Sequence, residues 1–295
     1  MALKDRAPYV EDRVGPEEVM FHHGALRIGQ FRCSRSNPWF TDSGPTSGWL
    51  LTFPRLPVLV AHAGEGAIVA DPSIVKFFNR GQEFRREALC DAGDACEWFS
   101  FDVATVAAAV RPYDPAAADR PGRPFAWTHA PVDSASYLLQ RRIAERVLRG
   151  DGRDVLDIEE ALYALLAQTV ANAYAKRGRA ARKGAPAPWA LQKAVVDHIE
   201  RTLATRYREP LSLAELAKSV GYSPFHLAHV FRAHTGATIH AKRMKLRMHV
   251  ALEEVRDPHR DLTSIALDLG FSSHSHFTES FRRTFGQSPR GFRER

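Results

Sequence analysis

Apolar residues recur along this chain with two periods, and the change from one to the other divides it. From Phe21 to about Phe101 the pattern is that of strands. Ala25-Leu-Arg-Ile-Gly-Gln-Phe-Arg32 alternates, while Gly48-Trp-Leu-Leu-Thr-Phe53 and Val58-Leu-Val-Ala61 are short apolar runs bounded by Pro and Gly. Ala67-Ile-Val-Ala70, Ser73-Ile-Val-Lys-Phe-Phe78 and Cys96-Glu-Trp-Phe-Ser-Phe101 continue the series. Short strands at such spacing predict an antiparallel sandwich or barrel. Residues 1 to about 20 are polar and predict a loosely ordered lead-in.

Between Ser134 and Lys176 the period becomes helical. Tyr137, Leu138, Ile143, Val147 and Leu148 form one stripe. After Gly150-Asp-Gly152, a second stripe runs through Ile158, Leu162, Leu165, Leu166, Thr169, Val170 and Tyr174. The expected product is an αα-hairpin that covers the β layer or pairs two subunits. Lys176-Arg-Gly-Arg-Ala-Ala-Arg-Lys-Gly-Ala-Pro-Ala-Pro188 then reads as a basic, protease-exposed linker.

The remaining segment holds one unit twice. Leu262, Ile265, Ala266 and Leu269 make one helix face, Gly270 breaks it, and Phe277, Phe281 and Phe285 make a second face. Upstream, Leu213, Leu216, Ala217, Gly221 and Tyr222 match Leu262, Ile265, Ala266, Gly270 and Phe271 at an offset of 49. Past the turn the offset is 50, with Leu227, Phe231 and Gly236 matching Phe277, Phe281 and Gly286. Two matched helix–glycine turn–helix units imply a tandem helix-turn-helix. A helix from Pro188 to about Tyr207, with the stripe Leu191, Val195, Ile199 and Leu203, leads into the first unit. Ser212 with Glu215 forms a capping box, and Ser223 with Pro224 starts the first recognition helix. A connecting helix from Ile239 to about Val255 carries Lys242, Arg243, Lys245 and Arg247. Its length, about 26 Å, suits two recognition helices roughly one duplex turn apart.

The motifs Leu216-Ala-x-x-x-Gly-Tyr-Ser223 … Phe231-x-x-x-x-Gly236 and Ile265-Ala-x-x-x-Gly-Phe271 … Phe281-x-x-x-Phe-Gly-x-Ser-Pro289 resemble the AraC/XylS family of transcription regulators, over about Trp189 to Arg293. The resemblance implies an α+β chain. Residues 1–132 would be a cupin-like antiparallel β-barrel that binds a small effector, and 133–176 a helical hairpin for dimerisation. Residues 177–188 would be the linker, and 189–295 an all-α DNA-binding domain. It implies double-stranded DNA, RNA polymerase, a small-molecule effector and a second copy of the chain as partners, with no cofactor. Phe225, Ala228 and His229 fall at the family's base-facing positions.

Helix geometry extends that set. Leu227, Val230 and Phe231 point inward, leaving Phe225, His226, Ala228, His229 and Arg232 outward; in the second unit His274, Ser275, His276, Thr278 and Glu279 face out. Phe225 and Ala228 suit thymine methyls and His229 a purine edge. Relatives often carry a basic residue at the place of Glu279, so its carboxylate suits a cytosine amino group instead. Ser223, Ser272 and Ser273 at helix starts, with Arg232, Arg243, Arg282 and Arg283, are candidate phosphate contacts.

Charge agrees with this division. The chain carries +7; from Ala190 onward 17 Lys+Arg face 11 Asp+Glu, a net +6. No apolar run is long enough to span a membrane and the N-terminus has no hydrophobic signal region, so a cytoplasmic protein is expected. Cys33, Cys90 and Cys96 lack Cys-x-x-Cys spacing and read as reduced thiols. His22, His23, His62 and His129 show no compact His-x-His with a following acid, so no metal site is expected. Trp39, Phe40, Phe53, Phe77, Phe78, Trp98, Phe99 and Phe101 read as core. The alternative of a DNA-repair or cupin-type enzyme fused to this DNA-binding domain needs an activated nucleophile or a zinc cysteine cluster, which three scattered cysteines do not supply.

Overall fold

A bulge, a buried arginine and a helix cap account for the elements that the apolar pattern alone leaves out of the N-terminal half. The computed structural model describes residues 12–14, 16–38, 40–41, 45–63, 66–120, 122–149, 155–180 and 188–294. Trp39, the Gly150-Asp-Gly152 break and residues 181–187 of the expected linker lie outside them. The chain divides into two units, residues 1–175 and 176–295.

The first unit runs β1 (Asp12–Val14), β2 (Glu17–His23), β3 (Leu26–Cys33), β4 (Trp49–Pro54), β5 (Val58–His62), β6 (Ala67–Ala70), β7 (Ile74–Phe78), β8 (Phe84–Ala88) and β9 (Asp94–Phe101). Then come α1 (Val103–Val110), a 3-10 turn (Pro115–Asp119), β10 (His129–Pro131), α2 (Ser134–Leu148) and α3 (Val155–Ala180). Seven strands pair in the order β1-β2-β3-β9-β4-β7-β10 and three in the order β6-β5-β8. Every pairing is antiparallel. The two sheets do not close into one barrel. They share a core of Phe31, Cys33, Phe40, Val58, Val60, Ala70, Ile74, Cys96 and Trp98, drawn from both. The helices serve the other face of the larger sheet: Arg141 of α2 donates to Glu97 of β9 at 2.7 Å, and Arg55 holds the same carboxylate at 2.9 Å.

The expected loose lead-in is corrected from Asp12 on, where β1 and β2 occupy it; residues 1–11 lie outside the described residues. In β2 the register shifts between Val19 and Phe21, so Met20 and Phe21 are buried in succession and the alternation that marks a strand is lost. In β8 the inward residues are Phe84, Arg86 and Ala88, opposite His62, Val60 and Val58. Arg86 is buried there because Asp94 accepts from it at 2.9 Å, Phe40 O at 3.0 Å, and its guanidinium lies 4.1 Å from the Phe31 ring centroid. Helix α1 starts at Asp102, whose carboxylate accepts from Thr105 N at 2.8 Å. The expected core aromatics that are described, Phe40, Phe53, Phe77, Phe78, Trp98, Phe99 and Phe101, are all buried.

The hairpin forms as α2 and α3, but its apolar stripe is consumed inside the unit. Leu162 and Leu165 are fully buried, as nearly are Leu166 and Val170; Leu148, Leu156 and Tyr163 face solvent. Helix α3 runs on to Ala180, four residues into the expected linker, since Lys, Arg and Ala favour helix and outweigh one Gly.

The second unit is helical: α4 (Pro188–Arg206), α5 (Leu213–Ser219), α6 (Pro224–Thr235), α7 (Ile239–Glu254), α8 (Leu262–Asp268), α9 (His274–Phe285) and α10 (Pro289–Arg293). Val196, Ile199 and Leu203 of α4 pack with Leu216, Ala217, Leu227, Val230, Phe231 and Leu246. Leu191, expected on that stripe, is 71% exposed. Twelve residues at 100° each put it about 120° away from Leu203 around the helix, whereas Val196 stays within about 20°. Among the described residues no helix is long and apolar enough to cross a membrane.

Candidate nucleic-acid interface

The two copies are built alike from the turn outward. Gly221 and Gly270 both take a left-handed backbone, φ 70° and 76°. In both, the next residue's amide returns to the first helix: Tyr222 N to Ala217 O at 2.9 Å, and Phe271 N to Ala266 O at 3.0 Å. Ser223 then caps α6 by accepting from His226 N at 3.2 Å, and Ser273 caps α9 by accepting from His276 N at 3.1 Å. The extra residue that moves the offset to 50 is Ser272, whose hydroxyl sits 3.3 Å from His276 Nδ1. Upstream, Ser212 and Glu215 form the full capping box of α5, and Asp261 caps α8 through Ser264 N at 2.9 Å.

Burial sorts the outward side chains. Leu227, Val230 and Phe231 are buried in α6 and Phe277, Phe281 and Phe285 in α9, where rings at 5.9 and 4.8 Å join Phe277, Phe281 and Phe285. Phe225 is 83% exposed, an unusual state for a phenylalanine, and Ala228 and His229 are exposed beside it. These three also edge a cleft of about 520 Å³ floored by Leu203, Leu216 and Ile239. His226 is exposed but its ring lies 4.5 Å from Tyr222, and His276 lies 5.3 Å from Phe271. The aromatic after each turn glycine thus holds the histidine of the next helix's first turn. His274, Ser275 and Glu279 are exposed, and Thr278 is half-buried with its hydroxyl 3.5 Å from His274 Nε2.

The arginines divide into two kinds. Arg232, Arg282 and Arg283 are exposed near the ends of α6 and α9. Arg243, expected as a phosphate contact, belongs to the other kind, with its guanidinium turned to carbonyls of its own domain. Its guanidinium donates to Tyr207 O at 3.0 Å, Leu211 O at 3.3 Å and Glu209 O, and burial lowers its pKa from the ordinary arginine value. The carbonyls after α4 have lost their helical partners, and Arg243 satisfies them. Lys242 of the same helix pairs with Glu200 at 3.3 Å.

Sequence reasoning also missed a strut between the copies. Arg247, buried in α7, donates to Tyr207 O at 2.8 Å, Arg208 O at 3.3 Å and Gly270 O at 2.7 Å. Burial, with Arg243 nearby, lowers its pKa to about 10, so it stays charged at neutral pH. Around it Glu254 accepts from Arg208 at 2.7 Å and Arg260 at 2.8 Å, and Arg260 also pairs with Asp268. Arg293 closes the far end on Val255 O at 2.9 Å and Arg260 O at 2.7 Å. The segment before the first helix-turn-helix is therefore bonded to the turn of the second. Arg247 recurs on no apolar period, so only the three-dimensional arrangement shows its role. Among the described residues no group of His, Cys, Asp and Glu is placed to hold a metal, and all three cysteines are free.

Comparison with known proteins agrees with this geometry. A helix-turn-helix domain family matches residues 216–295. The regulatory protein SoxS of Salmonella typhimurium is 36% identical over 87 residues, 30% of this chain and 81% of SoxS. The HTH-type transcriptional regulator GlxA of Rhizobium meliloti is 32% identical over 167 residues, 56% of this chain; the match spans 47% of GlxA, about half its length. A solved transcriptional regulator with an AraC-type DNA-binding domain, from Chromobacterium violaceum, is 27% identical, with 36% of this chain and 94% of that one covered and a TM-score of 0.32. With its duplicated turns, its paired caps and a 36% identity that spans most of SoxS, this chain belongs to the AraC/XylS family of DNA-binding transcription regulators.

Proposed function

We propose that the chain is a sequence-specific regulator whose second unit reads two successive major-groove segments while a small effector, bound in the first unit, gates it. The observation that carries the reading is the exposed face of α6: Phe225 at 83% exposure, with Ala228, His229 and Arg232 beside it, stays outside a fully packed core. An apolar ring held in water at that position has a use when it meets a thymine methyl. Phe225, Ala228, His229, Ser275, Thr278 and Glu279 contact base edges in this reading. His226, His274 and His276 flank them. Ser223, Ser272 and Ser273 at the helix starts, with Arg232, Arg282 and Arg283, take the phosphates. Residues 1–132 form the regulatory domain, a cupin-like arrangement of the two stacked sheets, and residues 181–187 the middle of a linker to the DNA-binding domain. The protein works in the cytoplasm as a homodimer, with the solvent face of α3 around Leu156 and Tyr163 as the contact. It engages RNA polymerase and performs no enzymatic chemistry. The decisive experiment is a salt titration of specific and non-specific DNA binding by the full chain and by residues 184–295. Affinity is expected to fall steeply as salt rises, and a flat titration overturns the reading.

A further inference from the structure

One row of residues between the two sheets of the first unit sets polar groups into the core described above. Cross-strand register sets Gly29, Trp98, Thr52, Lys76 and His129 side by side across β3, β9, β4, β7 and β10. Strand alternation gives Lys76 and Ile74 the same face, and Ile74 and Trp98 belong to the core between the sheets. His62 arrives from the opposite sheet, on the face of Val58 and Val60. A Cβ at Gly29 would overlap the Trp98 ring, so the indole lies flat over that glycine and its position is fixed.

Three of these groups, Lys76, Trp98 and His62, can donate and have nothing to donate to. Lys76 is 2% exposed; its ammonium lies 5.4 Å from the Phe78 ring, and among the described residues no carboxylate, carbonyl or hydroxyl accepts from it. Trp98 Nε1 is buried without a partner, and so is His62 Nε2. Gln82 Nε2 meets His62 Nδ1 at 3.0 Å, and with the amide nitrogen as donor the neutral ring carries its own proton on Nε2. Burial first, and then the charge of Lys76, holds His62 down to about pKa 4, which keeps it neutral; its ring lies 5.2 Å from that of Phe78, the ring the Lys76 ammonium also approaches. The acid nearest in the same interior is engaged elsewhere: Asp94 accepts from Arg86 at 2.9 Å through one carboxylate oxygen. A lysine this buried, with no anion beside it, is costly to hold and is relieved by an anionic ligand. Thr52, itself buried between Lys76 and Trp98, sits where an anion could meet both flanks; the two backbones are about 10 Å apart, two strand spacings. Beside the row lies an apolar wall of Leu50, Phe78 and Phe84, the two rings 4.9 Å apart.

We infer that the inter-sheet interior binds a small carboxylic acid with an aromatic or aliphatic body, its carboxylate seated over Thr52 and held by Lys76, Trp98 Nε1–H and His62 Nε2–H. The inference rests on the effector-gated reading and names the chemical class of its effector. Benzoate, phenylacetate and hexanoate are the probes, each against its own amide, by calorimetry and thermal melting of the full chain. At least one acid binds and raises the melting midpoint while its amide does not. Lys76→Met weakens that acid by about tenfold or more, since a charge-assisted hydrogen bond is lost. The unliganded variant melts no lower than wild type, because an unpaired charge has been removed. Trp98→Phe, which keeps the lysine, weakens the acid several-fold. Equal affinity in Lys76→Met, or an amide that binds as well as its acid, overturns the inference. So does a Lys76→Met protein that melts lower while no acid binds wild type, which would mean that solvent satisfies the lysine. Amide binding that alters DNA affinity would sink the carboxylate class and leave gating standing. DNA binding that ignores every probe, together with unchanged regulation after deletion of the first unit, would remove both.

Discussion

Gly270→Ala tests how firmly the second helix-turn-helix is held to the first. At φ 76° the new side chain takes a left-handed backbone, which costs about 1–2 kcal/mol. Its Cβ would also fall inside the contact distance of Arg208 O and 2.5 Å from Arg247 Nη2. Neither can yield without breaking at least one guanidinium–carbonyl bond of the strut, worth about 1.5–3 kcal/mol. The expected destabilisation is therefore about 2.5–5 kcal/mol, a large share of the stability of an ordinary domain. Gly221→Ala is the internal control. Its φ of 70° is nearly the same, but nothing lies within 4 Å of the added carbon, so only the backbone penalty of about 1–2 kcal/mol remains. Urea unfolding of the full chain, followed by hydrogen exchange in peptides covering residues 213–235 and 262–285, separates the two turns. Equal destabilisation by both substitutions would refute the argument that Arg208 and Arg247 clamp the second turn.

Arg282→Ala should lower the salt slope of DNA binding by about 1 and leave melting unchanged, whereas Arg243→Ala should cost about 2–4 kcal/mol of stability with the slope intact. The reverse pattern in titration and melting would show that the two kinds of arginine were exchanged. His229→Ala should lower specific affinity by about 1–3 kcal/mol and relax one or two base pairs in a randomised-site selection. In the same selection Glu279→Ala should either raise affinity for all sequences or lose preference at one C·G pair, and no change in either variant would mean the wrong helix faces are named. Leu162→Arg buries an unpaired charge and should destabilise the first unit by about 4 kcal/mol or more by thermal melting. Tyr163→Arg on the solvent face should shift it by less than about 0.5 kcal/mol and yield monomer by light scattering; wild-type monomer at micromolar concentration would remove the proposed dimer.

The helix-turn-helix pair was legible because its signals are local. Turn glycines, caps at Ser212, Ser223 and Ser273, and rings spaced by four lie within a few residues of the structure they dictate. The β-rich unit was legible where strands keep clean alternation, as β3 does, or form short apolar runs bounded by Pro and Gly, as β4 and β5 do. In β2 the bulge at Met20 hides the period, and β8 reads as polar because Arg86 points inward toward an Asp94 that follows a turn. Arg243 and Arg247 looked like part of a basic helix face. Whether a cation meets phosphate or carbonyl depends on what the preceding helix leaves unsatisfied at Tyr207 and Leu211, which no spacing within α7 records.

The strut through Arg247 also decides which partner deforms when protein and DNA do not match. Two reading heads bolted through Gly270 O, Tyr207 O and Glu254 act as a caliper with a fixed jaw setting. One base pair inserted between the two contacted segments turns the second by about 35° and shifts it about 3.4 Å, and a clamped pair cannot swivel to follow. The duplex must then bend or untwist, at a penalty set by the stiffness of steps the protein never touches. Selectivity would extend to the spacer between the contacts, with flexible pyrimidine–purine steps there favoured over stiff A-tracts.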